Sequence, residues 1–235
     1  MDIIFPEYEE FHTKVVFYRI PKNASTSIYD HLGNANLIWR NREEISNKAD
    51  KRIYKDTFEP SHLKPDELKD LVLGNELKNH FSFCVVRNPW DRALSMFLHA
   101  LDNNFKEVYG INREVTFEFF CNFFKERSSD PFFIGTHKQT EWTVGKYPPK
   151  KILRFESISS DFSEMVKNHG ILTVGQNMPH VNKTKHSHYS HYYNSETKKI
   201  ISDIYEEDID NFQYVFTRKD PDSPGPKVSE GSLRI

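Results

Sequence analysis

The sequence predicts an α/β fold of three layers, with helices on both faces of a central parallel sheet. Two observations predict it. The runs Val15-Val16-Phe17-Tyr18 and Phe81-Ser82-Phe83-Cys84-Val85-Val86 are apolar almost throughout, without the polar alternation of a half-exposed strand, as strands covered on both faces are. Each is followed by a polar turn and then by apolar residues at helical spacing. Strand–loop–helix units repeated along a chain build a parallel sheet wrapped by its crossover helices.

The first strand breaks at Pro21, and the turn Lys22-Asn23-Ala24-Ser25 leads into a helix with Ile28, Tyr29 and Leu32 on one side. Pro65 stands where a first-turn proline belongs and opens a helix with Leu68, Leu71 and Val72 inward. The strand 81–86 ends in Arg87-Asn88-Pro89, and a long helix follows through Leu94, Phe97, Leu98 and Leu101. Residues 152–155 read as a further strand, with a helix from Ser157 to His169 after it. The segment from Glu196 to Phe212 carries Ile200, Ile201, Ile204 and Ile209 at helical spacing. The one break in composition is at Asp220, where a stretch rich in Pro, Ser and Gly begins. Residues 1–219 are therefore expected as a single domain and 220–235 as a disordered arm.

With 32 basic against 34 acidic side chains the net charge is −2, which excludes a general nucleic-acid coat and leaves room for a local cationic pocket. No run approaches the roughly 20 apolar residues of a membrane span, and Met1-Asp2 opens no signal peptide. Cys84 and Cys121 lie in apolar runs and cannot make a disulfide framework. They are expected buried and free, in a reducing compartment.

Ligands of parallel sheets bind beyond the carboxyl ends of the strands, so the loops 20–26, 56–64 and 87–92 are expected to line a site. The first of them ends a strand in a turn with Lys22 and places Thr26 and Ser27 at a helix start. Backbone N–H groups there point at an anion, the hydroxyls add donors and Lys22 adds a full charge, which is a layout for phosphate. It is not the GxxxxGK[ST] loop, which needs glycines and puts its lysine after them. By itself so short a string would ordinarily read as a capped helix with a solvated lysine. The loop after the second strand changes that balance: Arg87 offers a planar fork of donors at the strand end, and Ser95 stands two turns into the next helix.

Together, P-K-x-x-x-T-S at 21–27 and V-R-N-P-x-x-R-x-x-S at 86–95 resemble the 5′-phosphosulfate and 3′-phosphate motifs of sulfotransferases that use 3′-phosphoadenosine 5′-phosphosulfate (PAPS). The likeness is closest to the carbohydrate branch that includes the heparan 2-O and chondroitin enzymes. I-L-R-F-E at 152–156, P-H-V-N-K-T at 179–184 and Y-x-x-D-I-x-x-F-x-Y at 205–214 extend it from about Val15 to Phe216. The resemblance implies a fold like that of P-loop nucleotide hydrolases and sulfuryl transfer from PAPS to a hydroxyl on a carbohydrate, glycolipid or other acceptor. It implies 3′,5′-bisphosphoadenosine (PAP) as product and no metal. It gives Lys22 a catalytic role and places Lys22, Asn23, Ala24, Ser25, Thr26 and Ser27 at the 5′-phosphosulfate. Arg87 and Ser95 fall to the 3′-phosphate, and Lys183, with Asn182 or Thr184, to a loop over the nucleotide.

An acceptor hydroxyl must lose its proton, so a general base is expected. His62, in F-E-P-S-H-L-K-P at 58–65, resembles the histidine base of the carbohydrate branch, and only imidazole titrates near neutrality unperturbed. A surface histidine is the plain alternative in a chain with eleven, and Glu59 is the reserve base. His180, His186, His188 and His191 crowd together, but H-x-H-x-x-H fits neither one helix face nor a usual zinc box, so no metal is expected there. Trp90 and Phe97 are expected in the core, and Asp91 and Arg92 in capping or an ion pair.

A magnesium-dependent small-molecule or nucleotide kinase is the competing reading, kept open by Glu156 at the end of the strand 152–155. An inactive nucleotide- or glycan-binding module is another. Preference for ATP with Mg²⁺ over PAP without metal would single out the kinase, and turnover would exclude the inactive module. Asn23-Ala24-Ser25 and Asn182-Lys183-Thr184 are glycosylation sequons at the expected donor site, where modification would block the donor. The expectation is a cytoplasmic enzyme of a bacterium or virus, with the Golgi lumen reserved for a chain trimmed of its anchor.

Overall fold

A computed structural model of the chain describes residues 15–32, 62–68, 78–102, 115–131, 133–171, 173 and 186–219. Its helices and strands run β1 (Val15–Tyr18), α1 (Ser25–Leu32), α2 (Pro65–Leu68), β2 (Phe81–Val86), α3 (Pro89–Asp102), α4 (Phe117–Glu126), β3 (Lys151–Arg154), α5 (Ile158–His169), α6 (Ser195–Ile204) and α7 (Glu206–Phe212). The protein is α/β, and it divides into two compact units: Met1–Val86 with Glu141–Val181, and Arg87–Thr140 with Asn182–Ile235. Among the described residues no helix is long and apolar enough to cross a membrane.

The first unit contains a parallel sheet in the order β1-β2-β3. Phe17 pairs with Phe83, and Val85 with Leu153. Side chains alternate across a strand, so Val15, Phe17, Phe83, Val85 and Leu153 share one face. There they join Ile28, Tyr29 and Leu32 of α1 and Phe162 and Met165 of α5 in a single buried cluster. Phe17 and Phe83 stack with their centroids 4.7 Å apart. Burial of each large apolar side chain is worth about 1.5–3 kcal/mol, so this face contributes substantially to the unit's stability. The opposite face is buried as well, at Val16, Tyr18, Cys84 and Val86. From it the Tyr18 hydroxyl donates to the Tyr147 carbonyl at 2.8 Å. Burial of both faces explains the missing polar alternation in β1 and β2. In β3 only Leu153 is buried, and Phe155, expected in the strand, has already turned into a 3-10 turn.

In the second unit α3 starts at Pro89 with Asn88 as its cap. Asn88 Oδ1 accepts from the N–H groups of Trp90 and Asp91 at 3.1 and 3.3 Å, and a proline in the first turn loses nothing by lacking its own N–H. Trp90, Leu94, Met96, Phe97 and Ala100 form the buried side of α3, which puts Trp90 and Phe97 in the core as expected. Of the apolar residues of the expected helix, Leu98 is half-buried and Leu101 is 44% exposed. α4 takes up the apolar run around Cys121. Thr116 caps it by accepting from the Phe119 N–H at 3.1 Å, and Phe117, Phe120, Cys121 and Phe124 make its buried stripe.

The helical segment expected over 196–212 is two helices, broken at Tyr205. The Tyr205 ring is fully buried and its hydroxyl donates to the Gly135 carbonyl. Glu206, Glu207 and Asp208 then open α7, where carboxylates suit the positive end of a helix. Cys84 and Cys121 are free and buried. Burial pushes both thiols up, that of Cys121 to about 12. Leu71, Val72 and the stretch 220–235 lie outside the described residues.

Candidate functional site

In the first unit, the loop between β1 and α1 bends the chain in an unusual way. Lys22 and Ala24 have φ of 66° and 57°, and Asn23 between them does not share this hand. A left-handed φ costs a residue with a Cβ on the order of 1–3 kcal/mol, and it persists only where the surroundings over-determine it. Part of that restraint is Asn23, 1% exposed, whose Nδ2 donates to the Val85 carbonyl of β2 at 2.7 Å. Where left-handed residues alternate with right-handed ones, successive backbone N–H groups can turn toward one side, as in anion-holding nests.

Helix α1 begins at once, with the Ile28 N–H donating to the Ala24 carbonyl at 3.1 Å. The N–H groups of Ser25, Thr26 and Ser27 are therefore those for which a helix supplies no acceptor of its own, and they sit at its positive end. The Thr26 side chain is exposed, Lys22 is half-buried, and Ser25 and Ser27 are buried.

Arg19 connects this loop to His62. Its guanidinium lies 4.2 Å over the Tyr29 ring and donates to Thr26 Oγ1 at 3.4 Å. Its carbonyl lies 3.0 Å from His62 Nδ1. A carbonyl can only accept, so Nδ1 carries the hydrogen and the lone pair of the neutral ring resides on Nε2. The backbone of His62 is fixed too, because its carbonyl accepts from Nε1 of the fully buried Trp142 at 3.1 Å. Lys64, two residues on, pairs with Glu141 and lies 5.7 Å from the centre of the Trp142 ring. The first unit thus brings together His62 and the loop 22–27 by way of Arg19.

Arg87 opens the second unit. Its Nε donates to Asp91 Oδ2 at 2.8 Å, with both side chains largely buried, so Asp91 serves in an ion pair. One glutamine grips the backbone of Arg87 on both sides. The Arg87 N–H donates to Gln139 Oε1, and Gln139 Nε2 donates to the Arg87 carbonyl, both at 2.9 Å. Gln139 is held in turn by Asp208, whose two oxygens accept from the Gln139 and Thr140 N–H groups at 2.8 and 2.9 Å. Burial pushes the Asp208 carboxyl above its ordinary value, opposed by the nearby Arg92 guanidinium and by those backbone donors. Ser95 is half-buried on α3, four residues beyond Asp91 and so on the same side of the helix. Arg92 is buried and donates to the His137 carbonyl at 3.0 Å.

The described histidines of the crowded stretch have protein partners. His186 Nδ1 donates to the Ser187 carbonyl at 2.7 Å, and His191 Nε2 to the Lys219 carbonyl at 3.2 Å. His188 caps a short turn by accepting from the Ser190 N–H; burial, and next the Lys219 ammonium, push its imidazole below the ordinary value. Glu156 is exposed in the 3-10 turn after β3. Glu59, His180, Asn182, Lys183 and Thr184 lie outside the described residues.

Gln139, Asp208 and Trp142 are the supporting residues that the sequence reading missed. Asp208 belongs to the motif at 205–214, but the backbone it holds is 69 residues away at Gln139, and no local pattern announces such a pair. Neither a curated protein nor a solved structure matches the chain. The family model described as Sulfotransferase family matches residues 8–215, a span that takes in both loops, His62, Gln139 and Asp208. With that match over most of its length, the chain belongs to the sulfotransferase family, and sulfuryl transfer is its chemistry.

Proposed function

We propose that the protein transfers a sulfuryl group from PAPS to a hydroxyl of a carbohydrate or glycolipid acceptor, without a metal, through a single catalytic domain spanning 1–219. The observation that carries this reading is the bond from His62 Nδ1 to the Arg19 carbonyl, which leaves Nε2 as the basic atom of the ring. The donor supplies the group to be moved: its bond from sulfur to the 5′-phosphate oxygen breaks, that oxygen keeps the electron pair, and the acceptor oxygen bonds to sulfur in line. His62 Nε2 takes the acceptor's proton.

Lys22 holds charge on the sulfonyl and on the departing phosphate, as lysines do in phosphoryl transfer. The backbone N–H groups of 22–27 and the Thr26 and Ser27 hydroxyls hold the 5′-phosphate, a role supported by the alternating φ of Lys22 and Ala24. Asn23 contributes by bracing, since its amide is engaged by the Val85 carbonyl. Arg87 offers its terminal nitrogens to the 3′-phosphate with Ser95 as second donor, and the bond from Nε to Asp91 sets the plane of that fork. Lys183 reaches the phosphates from the stretch 180–191. The parallel sheet and the loop after β1 support a three-layer fold of the P-loop hydrolase kind. A cytoplasmic setting fits two free thiols and a sequon asparagine, Asn23, that is 1% exposed.

The test is calorimetric titration with PAP and with adenosine 5′-monophosphate, in the presence of a chelator. Charge-assisted hydrogen bonds to a 3′-phosphate predict a preference for PAP on the order of 10- to 100-fold, and Arg87→Ala should collapse it. Equal affinity for the two nucleotides, or tighter binding of ATP with Mg²⁺, would overturn the reading. Mass spectrometry of products from labelled PAPS and a panel of glycans, glycolipids and lipid alcohols identifies the acceptor.

A further inference from the structure

We infer that Gln139 is a positioning residue for nucleotide selectivity, acting through Arg87; this rests on the assignment of Arg87 to the 3′-phosphate. Arg87 is the first residue after β2, where the strand ladder no longer dictates the course of the backbone. At that point a side-chain amide takes over. It donates to the Arg87 carbonyl and accepts from the Arg87 N–H, both at 2.9 Å, so a single planar group makes the two bonds that a neighbouring strand would make. Gln139 is fully buried, so bulk solvent does not compete for those bonds.

Only a carboxamide supplies one donor and one acceptor side by side without charge. A carboxylate would set oxygen against the Arg87 carbonyl, and an apolar side chain would abandon both groups. The amide is itself prevented from swinging, because Asp208 accepts from the backbone N–H groups of Gln139 and Thr140. Asp91 then fixes the outer end of the same arginine by pairing with Nε. The backbone and the guanidinium plane of Arg87 are thus restrained by different residues. A guanidinium pairs with two oxygens of a phosphate only when its plane contains both, so loss of the restraint on the backbone swings the fork off its target.

Gln139 touches no ligand in this scheme, and its removal should act on one nucleotide and not the other. The experiment titrates PAP and adenosine 5′-monophosphate into the parent, Arg87→Ala and Gln139→Met, with thermal melts of each. Methionine keeps the length and volume of glutamine and carries neither amide group. The expected result is a fall of about 10-fold in the PAP-to-monophosphate affinity ratio for Gln139→Met, through weaker PAP binding, with affinity for the monophosphate unchanged. A merely structural role would lower stability or weaken both nucleotides alike and leave the ratio where it was. If Gln139→Met does not fold, Asp208→Asn takes its place, with a smaller fall of about threefold expected and an unchanged ratio overturning the inference. A parent without preference, or an Arg87→Ala that keeps it, overturns the assignment of Arg87 and the inference with it. A parent that prefers PAP, an Arg87→Ala that loses the preference and a Gln139→Met that keeps it overturn the inference alone.

Discussion

The Arg19 carbonyl accepts from His62 Nδ1 at 3.0 Å, and through that bond a histidine 43 residues downstream is tied to the loop that carries Lys22. The bond fixes the tautomer. It also separates two jobs within one ring, since Nδ1 anchors the side chain and Nε2 is the atom that can take a proton.

His62→Asn tests this division. The asparagine Nδ2 can stand in for Nδ1 and keep the bond to Arg19, while nothing replaces Nε2. We expect kcat to fall by about 10²- to 10⁴-fold, with PAP affinity and melting temperature close to those of the parent, and the acidic limb of the pH–rate profile to vanish. Activity within tenfold of the parent would remove His62 as the base; Glu59→Ala, made in parallel, would then be the variant to watch.

Lys22→Gly separates function from strain. Turnover should drop on the order of 10²-fold or more, as when a preorganised charge-stabilising donor is removed. Stability should not drop with it, because glycine adopts a φ of 66° without the penalty that lysine bears there. Denaturant melts are expected to show no loss of unfolding free energy. A clear loss would mean that the lysine side chain supports the fold.

Asn23→Ala should do the reverse. The Val85 carbonyl loses a buried donor, at a cost of about 1–3 kcal/mol, and the left-handed residues on either side lose their brace. Urea melts and PAP titration should worsen together. Unchanged stability would show that the amide does not hold the loop.

The thiols give a pH-dependent prediction. In the unfolded chain they ionise near about 8.5, and in the folded protein burial holds both higher, Cys121 at about 12. Stability from this source is therefore complete below about pH 8.5 and declines as the pH rises above it. A disulfide reagent at pH 8 should find no fast-reacting thiol in the native protein and both Cys84 and Cys121 after denaturation. Fast native labelling at either position would contradict the burial.

The strands were legible wherever burial alone decides structure. Val15–Tyr18 and Phe81–Val86 are uniformly apolar because both faces are covered, and their bounds agree with the sequence reading. α3 is the instructive partial case: its existence followed from Asn88-Pro89 and the helical spacing, but Leu101 at its end is exposed. The break at Tyr205 was not legible: the residue there is buried, and its hydroxyl bonds the Gly135 carbonyl, 70 residues away in sequence. The stripe of α4 was visible in principle, with Thr116 before it and apolar residues at helical spacing. In the loops, Lys22, His62 and Arg87 stood out by residue type and setting. What braces His62 and Arg87 did not, because Trp142, Gln139 and Asp208 act on backbone groups that carry no signature of their own.

The amide of Gln139 also closes a ring of chain, since its partner Arg87 lies 52 residues earlier. The entropy of closing such a ring grows only with the logarithm of its length, by about 0.6 kcal/mol for each doubling. Insertions within the excursion, at an exposed turn such as 127–129, are therefore nearly neutral for the arginine. A change in the spacing from Arg87 to its glutamine therefore costs the ring little, whereas loss of either member of the pair opens it.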